Sequence, residues 1–156
     1  MRNEKVVPND LGIFLDKSWR MEPSITSIVS DLFYEGKLKS QLENKNNKII
    51  WKNPVLSING SFIPNQGFHF ENVPHLNNSQ TSIEEASKIK EIVDELHDGK
   101  YEYFSKGKLL SGIIEKKDIL VIAPYNAQVN LLKNYLNDKA RVSTVDKFQG
   151  VPNQLF

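Results

Sequence analysis

The stretch of residues 118–150 constrains the fold of this chain more than any other part of the sequence. Residues 119–123 form an uninterrupted apolar run with the length and composition of a buried strand. An amphipathic segment over residues 126–136 and a second short predicted strand over 141–145 follow it. Strand, helix and strand in this order predict a βαβ unit, in which the helix carries the chain across to a parallel strand.

Polar side chains follow both strands of this predicted unit. Pro124, Tyr125 and Asn126 come directly after the first strand, and Thr144 and Lys147 come at and beyond the end of the second. Ligands of open α/β sheets bind beyond the carboxyl ends of the strands, so these residues are candidates for a binding site. Two simpler interpretations stay open, namely that Asn126 only caps the helix and that the second cluster is a solvated turn.

Composition excludes several classes of protein. The 156 residues are 39% hydrophobic, enough for one domain with a core. The 20 basic and 19 acidic residues nearly balance, so no overall field attracts nucleic acid or a membrane. The absence of cysteine excludes disulfides and thiolate chemistry. No signal peptide or membrane-spanning run is evident, which predicts a soluble, cytoplasmic protein without a membrane partner.

A second predicted helix begins at Pro23, whose missing N–H costs nothing in a first turn. Its apolar residues recur at helical spacing, which predicts a face packed on the sheet: Ile25, Ile28, Val29, Leu32 and Phe33. Trp19 and Arg20 then lie in the turn before this helix. A guanidinium group suits bidentate recognition of phosphate, whereas the alternative is a surface arginine with Trp19 as a core anchor.

The middle of the chain is predicted to contain less regular structure. Residues 37–66 are polar and rich in asparagine, which favours a long loop, and alternation predicts a strand near residues 67–73. The lysines of this loop, together with Trp51, could follow a nucleic-acid strand, or they could simply be solvated. Ser82 and Glu85 form a capping box at the start of another helix, on which Asp94 and Glu95 are expected to be solvated.

Two absences limit the chemistry. The sequence contains no Gly-x-x-x-x-Gly-Lys-Ser/Thr motif, so the chain lacks a phosphate-binding P-loop. The three histidines are scattered and show no metal-binding spacing, so no metal site is predicted.

Three blocks of the sequence together resemble the Upf-like superfamily I helicases. Residues 18–25 and 32–38, which read SWRMEPSI and LFYEGKL, resemble the arginine-containing motif that follows the first motor domain. Residues 118–128, DILVIAPYNAQ, resemble the first strand and turn of the second motor domain. Residues 142–150, VSTVDKFQG, resemble the motif that closes toward nucleotide and nucleic acid. The resemblance spans residues 11–150.

This resemblance implies a fold and a domain organisation. The fold class is α/β, a RecA-like domain of the P-loop NTPase type, with a mostly parallel sheet flanked by helices and incomplete at the C-terminus. Residues 1–12 are expected to be a loose entry, 13–150 a partial second motor domain, and 151–156 a divergent tail. The expected ligands are ATP with Mg²⁺, bound together with a P-loop-containing first motor domain in trans, and single-stranded DNA or RNA.

The resemblance also implies roles for individual residues. The catalytic residue would be Arg20, reaching the γ-phosphate, with Trp19 against the adenine. Gln149 and Gly150 would lie near the ATP cleft. The implied nucleic-acid contacts are Pro124, Tyr125, Asn126, Thr144 and Lys147.

Two positions depart from the family pattern. Glu22 stands where the family usually has histidine, and Pro152 stands where it has a ribose-binding glutamate. Two hypotheses about function therefore remain. The chain is either a motor-domain piece that is inactive without a first-domain partner, or a non-enzymatic remnant that keeps the fold as a nucleic-acid or protein-binding module.

Overall fold

The structure is a computed structural model that describes Val6 and residues 11–148. The chain forms two compact units. The first contains the described residues up to Lys48, together with Pro64–His69 and Glu102–Leu110. The second contains Ile49–Ile63, Phe70–Tyr101 and the described residues from Ser111 onward. The domain boundaries expected from the sequence stay a prediction.

The first unit is built on a small parallel βαβ arrangement. Strand β1 (Lys17–Ser18) leads into helix α1 (Pro23–Phe33), and strand β2 (Lys39–Ser40) then pairs with β1 in parallel. A 3-10 helix, Leu42–Asn46, follows β2. The sequence did not predict this pairing, because a two-residue polar strand carries no period-two hydrophobic signal.

The predicted helix at Pro23 is confirmed, but its predicted apolar face is covered only in part. Ile25 and Val29 are half-buried, whereas Ile28, Leu32 and Phe33 are exposed. The fully buried residues of α1 are Thr26 and Ser30. The Thr26 hydroxyl donates to the Glu22 carbonyl at 2.9 Å, and the Ser30 hydroxyl accepts from the amide of Leu38 at 2.9 Å. The second bond ties the helix to the segment that leads into β2.

The second unit contains the βαβ arrangement that the sequence predicts. Strand β6 (Leu120–Ile122) precedes helix α3 (Asn126–Leu136), and strand β7 (Arg141–Ser143) pairs with β6 in parallel. The register joins Leu120 to Arg141 and Ile122 to Ser143. The α/β fold class with parallel strands and flanking helices is therefore confirmed.

Helix α2 (Ile83–Leu96) packs against α3 and forms the core of the second unit with it. The buried apolar residues come from both helices and from the segments that flank the two strands: Ala86, Val93, Ile114, Ile119, Ala123, Val129, Leu132, Leu136 and Ala140. Burial at a spacing of three or four residues along α3 explains why this helix is readable from the sequence.

Of the two hydrogen bonds in the capping box predicted at the start of α2, only the one accepted by Ser82 is confirmed. The Ser82 hydroxyl accepts from the amide of Glu85 at 3.1 Å, as expected for an N-cap. The second bond, in which the side chain of Glu85 would accept from the amide of Ser82, is not formed. The amide of Ser82 instead donates to the side-chain oxygen of Gln128 at 2.8 Å, and the Gln128 side-chain nitrogen donates back to the Ser82 carbonyl at 3.2 Å.

Strands β3 (Lys48–Ile50), β4 (Lys100–Ser105) and β5 (Lys108–Ile113) form a separate three-stranded sheet in that order. A two-residue loop, residues 106–107, joins β4 and β5 into a hairpin. A second 3-10 helix, Lys116–Asp118, precedes β6, and a short helix α4, Val145–Phe148, follows β7. The predicted strand near residues 67–73 is wrong, since these residues are irregular and Phe68 and Phe70 are exposed.

Candidate functional site

The predicted site residues occupy equivalent places in the two units. Trp19 and Arg20 directly follow β1, the first strand of the first βαβ arrangement, and precede its helix. Pro124 and Tyr125 follow β6 in the same way in the second unit. Both clusters therefore lie at the carboxyl end of a parallel strand, which is where ligands of open α/β folds bind.

The turn that carries Trp19 and Arg20 is fixed through its backbone. The Met21 carbonyl accepts hydrogen bonds from the Ser40 hydroxyl at 2.7 Å and from the side-chain amide of Asn44 at 3.1 Å. The Met21 amide donates to the Ser18 hydroxyl at 3.2 Å. The turn is thus held in one conformation before any ligand arrives.

Asn44 and Thr26 are positioning residues that sequence reasoning missed. Asn44 is buried although it lies in a stretch rich in lysine and asparagine, which reads as a solvated loop. Thr26 lies between Ile25 and Ser27 in α1 and is also buried. Neither position carries a pattern that distinguishes it from its exposed neighbours.

Glu22, the position that departs from the family pattern, caps α1. Its carboxylate accepts from the Ser24 amide at 3.0 Å, from the Ser24 hydroxyl at 2.5 Å and from the Ile25 amide at 3.4 Å. Partial burial works to raise the pKa of Glu22, but the hydrogen bonds from Ser24 and Ile25 outweigh it and hold the pKa below its ordinary value. The ionised carboxylate of Glu22 therefore serves as the N-cap of α1.

The side chains of Trp19 and Arg20 point away from this anchored backbone. Trp19 is 73% exposed and Arg20 is also exposed. The alternative interpretation of Trp19 as a core anchor is therefore wrong. An exposed indole beside an exposed guanidinium group can stack on a planar ring and bind an anion at the same time.

The strand ends of the second unit meet at one edge. The amide of Ala123 donates to the Ser143 carbonyl at 3.2 Å, so the residues that follow β6 and β7 begin at the same level of the sheet. Tyr125 is 51% exposed, and Thr144 is partly exposed. Lys147 lies one turn further on, in α4, and is exposed.

Helix α3 begins without a side-chain cap. Its N-cap residue is Tyr125, which makes no capping hydrogen bond, and Asn126 is the first residue of the helix. The alternative interpretation of Asn126 as the cap is therefore wrong. Gln128 is buried and bonded to Ser82, so its amide is not available to a ligand. The first N–H groups of α3 are left for a water molecule or an anion.

The lysines of the polar stretch differ in their partners. Lys37 and Lys48 make ion pairs with carboxylates at 2.8 and 3.1 Å. Lys52 belongs to the second unit and follows Trp51, whose indole is half-buried. A lysine-lined path for a nucleic-acid strand stays a prediction.

The expectation that Asp94 and Glu95 are merely solvated is wrong. Asp94 pairs with Lys90 on the same helix and with Lys139 at 2.8 Å. Glu95 accepts from the amide and the side chain of Asn53, at 3.1 and 2.9 Å. Both carboxylates hold parts of the second unit together.

Gln149 and Gly150 lie outside the described residues, so their predicted place near an ATP cleft stays a prediction. Among the described residues, no group of three or more histidine, aspartate or glutamate side chains could hold a metal ion. The part of the chain that the structure describes also contains no helix that is long and apolar enough to cross a membrane.

The fold and the strand-end clusters define an α/β domain of the AAA type. The chain belongs to the AAA domain family, whose model matches residues 3–155.

One curated relative is similar over most of the chain. It is the DNA polymerase alpha-associated DNA helicase A of Schizosaccharomyces pombe (strain 972 / ATCC 24843), which is 28% identical over 145 residues. The match covers 88% of this chain and 21% of the relative, so the chain spans about a fifth of that protein's length. No solved structure matches the chain at a significant level.

Proposed function

We propose that this chain is a partial motor domain of an ATP-dependent superfamily I helicase. In this role Arg20 contributes a guanidinium group to an ATP site shared with a first motor domain. The residues at the ends of β6 and β7 contact the backbone of single-stranded DNA or RNA. The similarity to a DNA helicase over 145 residues supports this proposal.

The main support for the proposal is the turn after β1, which combines a hydrogen-bonded backbone with two exposed side chains. Its backbone is fixed by Ser18, Ser40 and Asn44, while Trp19 and Arg20 remain exposed. Fixing a cationic group before the ligand binds removes the cost of reorganising it when charge develops in the transition state. A guanidinium supplied in this way contributes roughly 10³- to 10⁵-fold to the rate in phosphoryl-transfer enzymes.

The nucleic-acid role is supported by the second unit. The parallel register of β6 and β7 brings the residues after both strands to one edge, beside the uncapped start of α3. Phosphate groups bind at such helix starts, and Tyr125 offers an exposed ring on which a base can stack. Thr144 and Lys147 add a hydroxyl donor and a cation.

The chain needs a partner domain for hydrolysis. Its sequence lacks a P-loop, and its described residues lack a carboxylate cluster for Mg²⁺. The first motor domain would therefore hold the phosphates and the metal ion, and this chain would complete the site from the other side.

A chimera tests the proposal. The matching segment of the Schizosaccharomyces pombe relative is replaced by this chain, and duplex DNA unwinding and ATP hydrolysis are measured. We expect an active chimera in which Arg20→Ala lowers ATP turnover by roughly 10³-fold or more while nucleotide still binds. The matched control is Lys37→Ala, which removes a nearby exposed cation.

Two results would contradict the proposal. One is a folded chimera whose ATP turnover is the same with Arg20 and with alanine. The other is an isolated chain that does not bind single-stranded DNA or RNA at low salt, where phosphate contacts are strongest. A chain that binds nucleic acid but cannot support turnover in the chimera would instead favour the non-enzymatic binding module.

A further inference from the structure

The first unit contains a cleft that the proposed helicase role does not use. It has a volume of about 300 Å³ and lies between α1 and the segment that runs from β2 into the first 3-10 helix. Within the described part of the chain, neither Trp19 nor Arg20 is among the residues that line it. Both residues of β2, Lys39 and Ser40, belong to its wall.

Several polar groups of the cleft wall are already used by the fold. The hydroxyls of Thr26 and Ser40 donate to backbone carbonyls, and the hydroxyl of Ser30 accepts from the amide of Leu38. These groups fix the shape of the wall. They leave little hydrogen-bonding capacity for a ligand.

Five polar side chains of the wall have no hydrogen bond or ion pair with any described residue. They are Lys39, Gln41 and Lys45 on the strand side, and Ser27 and Asp31 on α1. Lys39 and Lys45 differ in this respect from Lys37 and Lys48, which flank the same stretch and are ion-paired. Two lysines of the polar stretch that pair with no described residue, Lys39 and Lys45, therefore both line this cleft.

The arrangement of charge restricts the ligand. Two ammonium groups favour a phosphate, whereas the carboxylate of Asp31 in the same cleft repels a bare anion. A carboxylate does accept hydrogen bonds from sugar hydroxyls, and Ser27 can donate or accept. The cleft volume is at the lower end of the range for small-ligand sites, which suits one nucleotide and not several.

We propose that this cleft binds a single nucleoside 5′-phosphate unit. Lys39 and Lys45 bind the phosphate, and Asp31 accepts hydrogen bonds from the sugar hydroxyls. The unit is either a free mononucleotide or one residue of a single strand. The site is independent of Arg20 and of the strand ends in the second unit, so it stands whether or not the helicase role is correct.

The test titrates the whole chain at low salt with inorganic phosphate, AMP and a single-stranded oligonucleotide, followed by calorimetry and amide chemical shifts. We expect AMP to bind more tightly than phosphate and to shift amides of α1 and β2. The double variant Lys39→Ala/Lys45→Ala should weaken AMP binding by about tenfold or more. The charge-matched control, Lys37→Ala/Lys48→Ala, should retain AMP binding within about twofold.

Asp31→Asn separates a nucleoside phosphate from a simple anion. Loss of the acceptor should weaken AMP binding by several-fold, whereas binding of inorganic phosphate should stay equal or become tighter. The proposal is overturned if the lysine double variant and its control bind AMP equally. It is also overturned if Asp31→Asn tightens AMP and phosphate alike, because the carboxylate would then only repel.

The oligonucleotide identifies the source of the unit. If the strand displaces AMP and the lysine double variant weakens both ligands, the occupant is a residue of a single strand. If AMP binds and the strand does not compete, the occupant is a free mononucleotide. Both results support the cleft, and circular dichroism of each variant checks that the fold is intact.

Discussion

The side-chain amide of Asn44 donates to the carbonyl of Met21 at 3.1 Å, across 23 residues of sequence. This bond joins the first 3-10 helix to the turn that carries Trp19 and Arg20. Asn44 is buried, and the bond is partly buried. The orientation of the most exposed candidate side chains thus depends on an asparagine that no motif identifies.

Asn44→Ala should destabilise the first unit and loosen this turn. The substitution removes one of three side-chain donors to the partly buried Met21 carbonyl, and we expect the free energy of unfolding to fall by about 1 kcal/mol. In a Trp51→Phe background Trp19 is the only tryptophan, because the chain has two. Denaturant unfolding followed by Trp19 emission then reports on this unit.

Asn46→Ala is the matched control for Asn44→Ala. Asn46 belongs to the same 3-10 helix but is exposed and makes no hydrogen bond with the described residues. Its removal should change the unfolding midpoint little. Equal loss of stability in the two variants would show that Asn44 has no special role.

Gln128→Ala should separate α2 from α3 at their starts. Both bonds between Gln128 and the Ser82 backbone are buried, so the substitution leaves the Ser82 amide unpaired and the Ser82 carbonyl with only the amide of Ala86 as a donor. We expect a loss of about 2 kcal/mol or more in the free energy of unfolding, measured by urea denaturation. Hydrogen exchange at the amide of Ser82 should become faster.

Asn130→Ala tests whether the effect of Gln128→Ala is local. Asn130 is exposed on the same helix, and alanine has the higher helix propensity. This variant should therefore be as stable as the original chain or slightly more stable. If Gln128→Ala behaves in the same way, the proposed clamp between the helices is wrong.

The carboxylate of Asp94 should make the second unit less stable as the pH falls into the acid range. Burial works to raise the pKa of Asp94, but hydrogen bonds from Lys139 and Lys90 and their charges outweigh it and lower the pKa. A carboxylate whose folded pKa is lowered stabilises the fold above its unfolded pKa, and this stabilisation is lost as pH falls through the folded value.

Asp94→Asn should therefore lower stability at pH 7 and matter less in acid. Because the side chain is 28% exposed, we expect a loss of only about 1 kcal/mol at pH 7. The difference from the original chain should shrink as pH falls below about 4. Thermal melts across this range measure it, with Glu91→Gln on the same helix as the control. A difference that stays constant with pH would contradict the assignment.

The isolated chain should not hydrolyse ATP, with or without single-stranded DNA or RNA. The reason is the missing P-loop, the motif whose backbone N–H groups and lysine hold the phosphates of the nucleotide in this class of NTPase. A sensitive phosphate-release assay checks this. Turnover by the isolated chain that survives Arg20→Ala would contradict the role proposed for Arg20.

Sequence reasoning succeeded where one strong local pattern had one structural solution. Helices α2 and α3 were readable because their apolar residues recur at helical spacing and are buried against each other. Helix α1 shows the limit of this reasoning. Its apolar stripe is as regular as the others, but Ile28, Leu32 and Phe33 are exposed and the fully buried residues are the neighbouring Thr26 and Ser30.

The sequence by itself determined the α/β class, the second βαβ arrangement and the place of the candidate residues at strand ends. Periodicity and capping are local properties, so they can be read along the chain. Only the tertiary structure decided the partners of Asn44 and Gln128, the exposure of Trp19 and the meeting of Lys39 and Lys45 at one cleft. These depend on contacts between residues that are distant in sequence, and no local pattern encodes them.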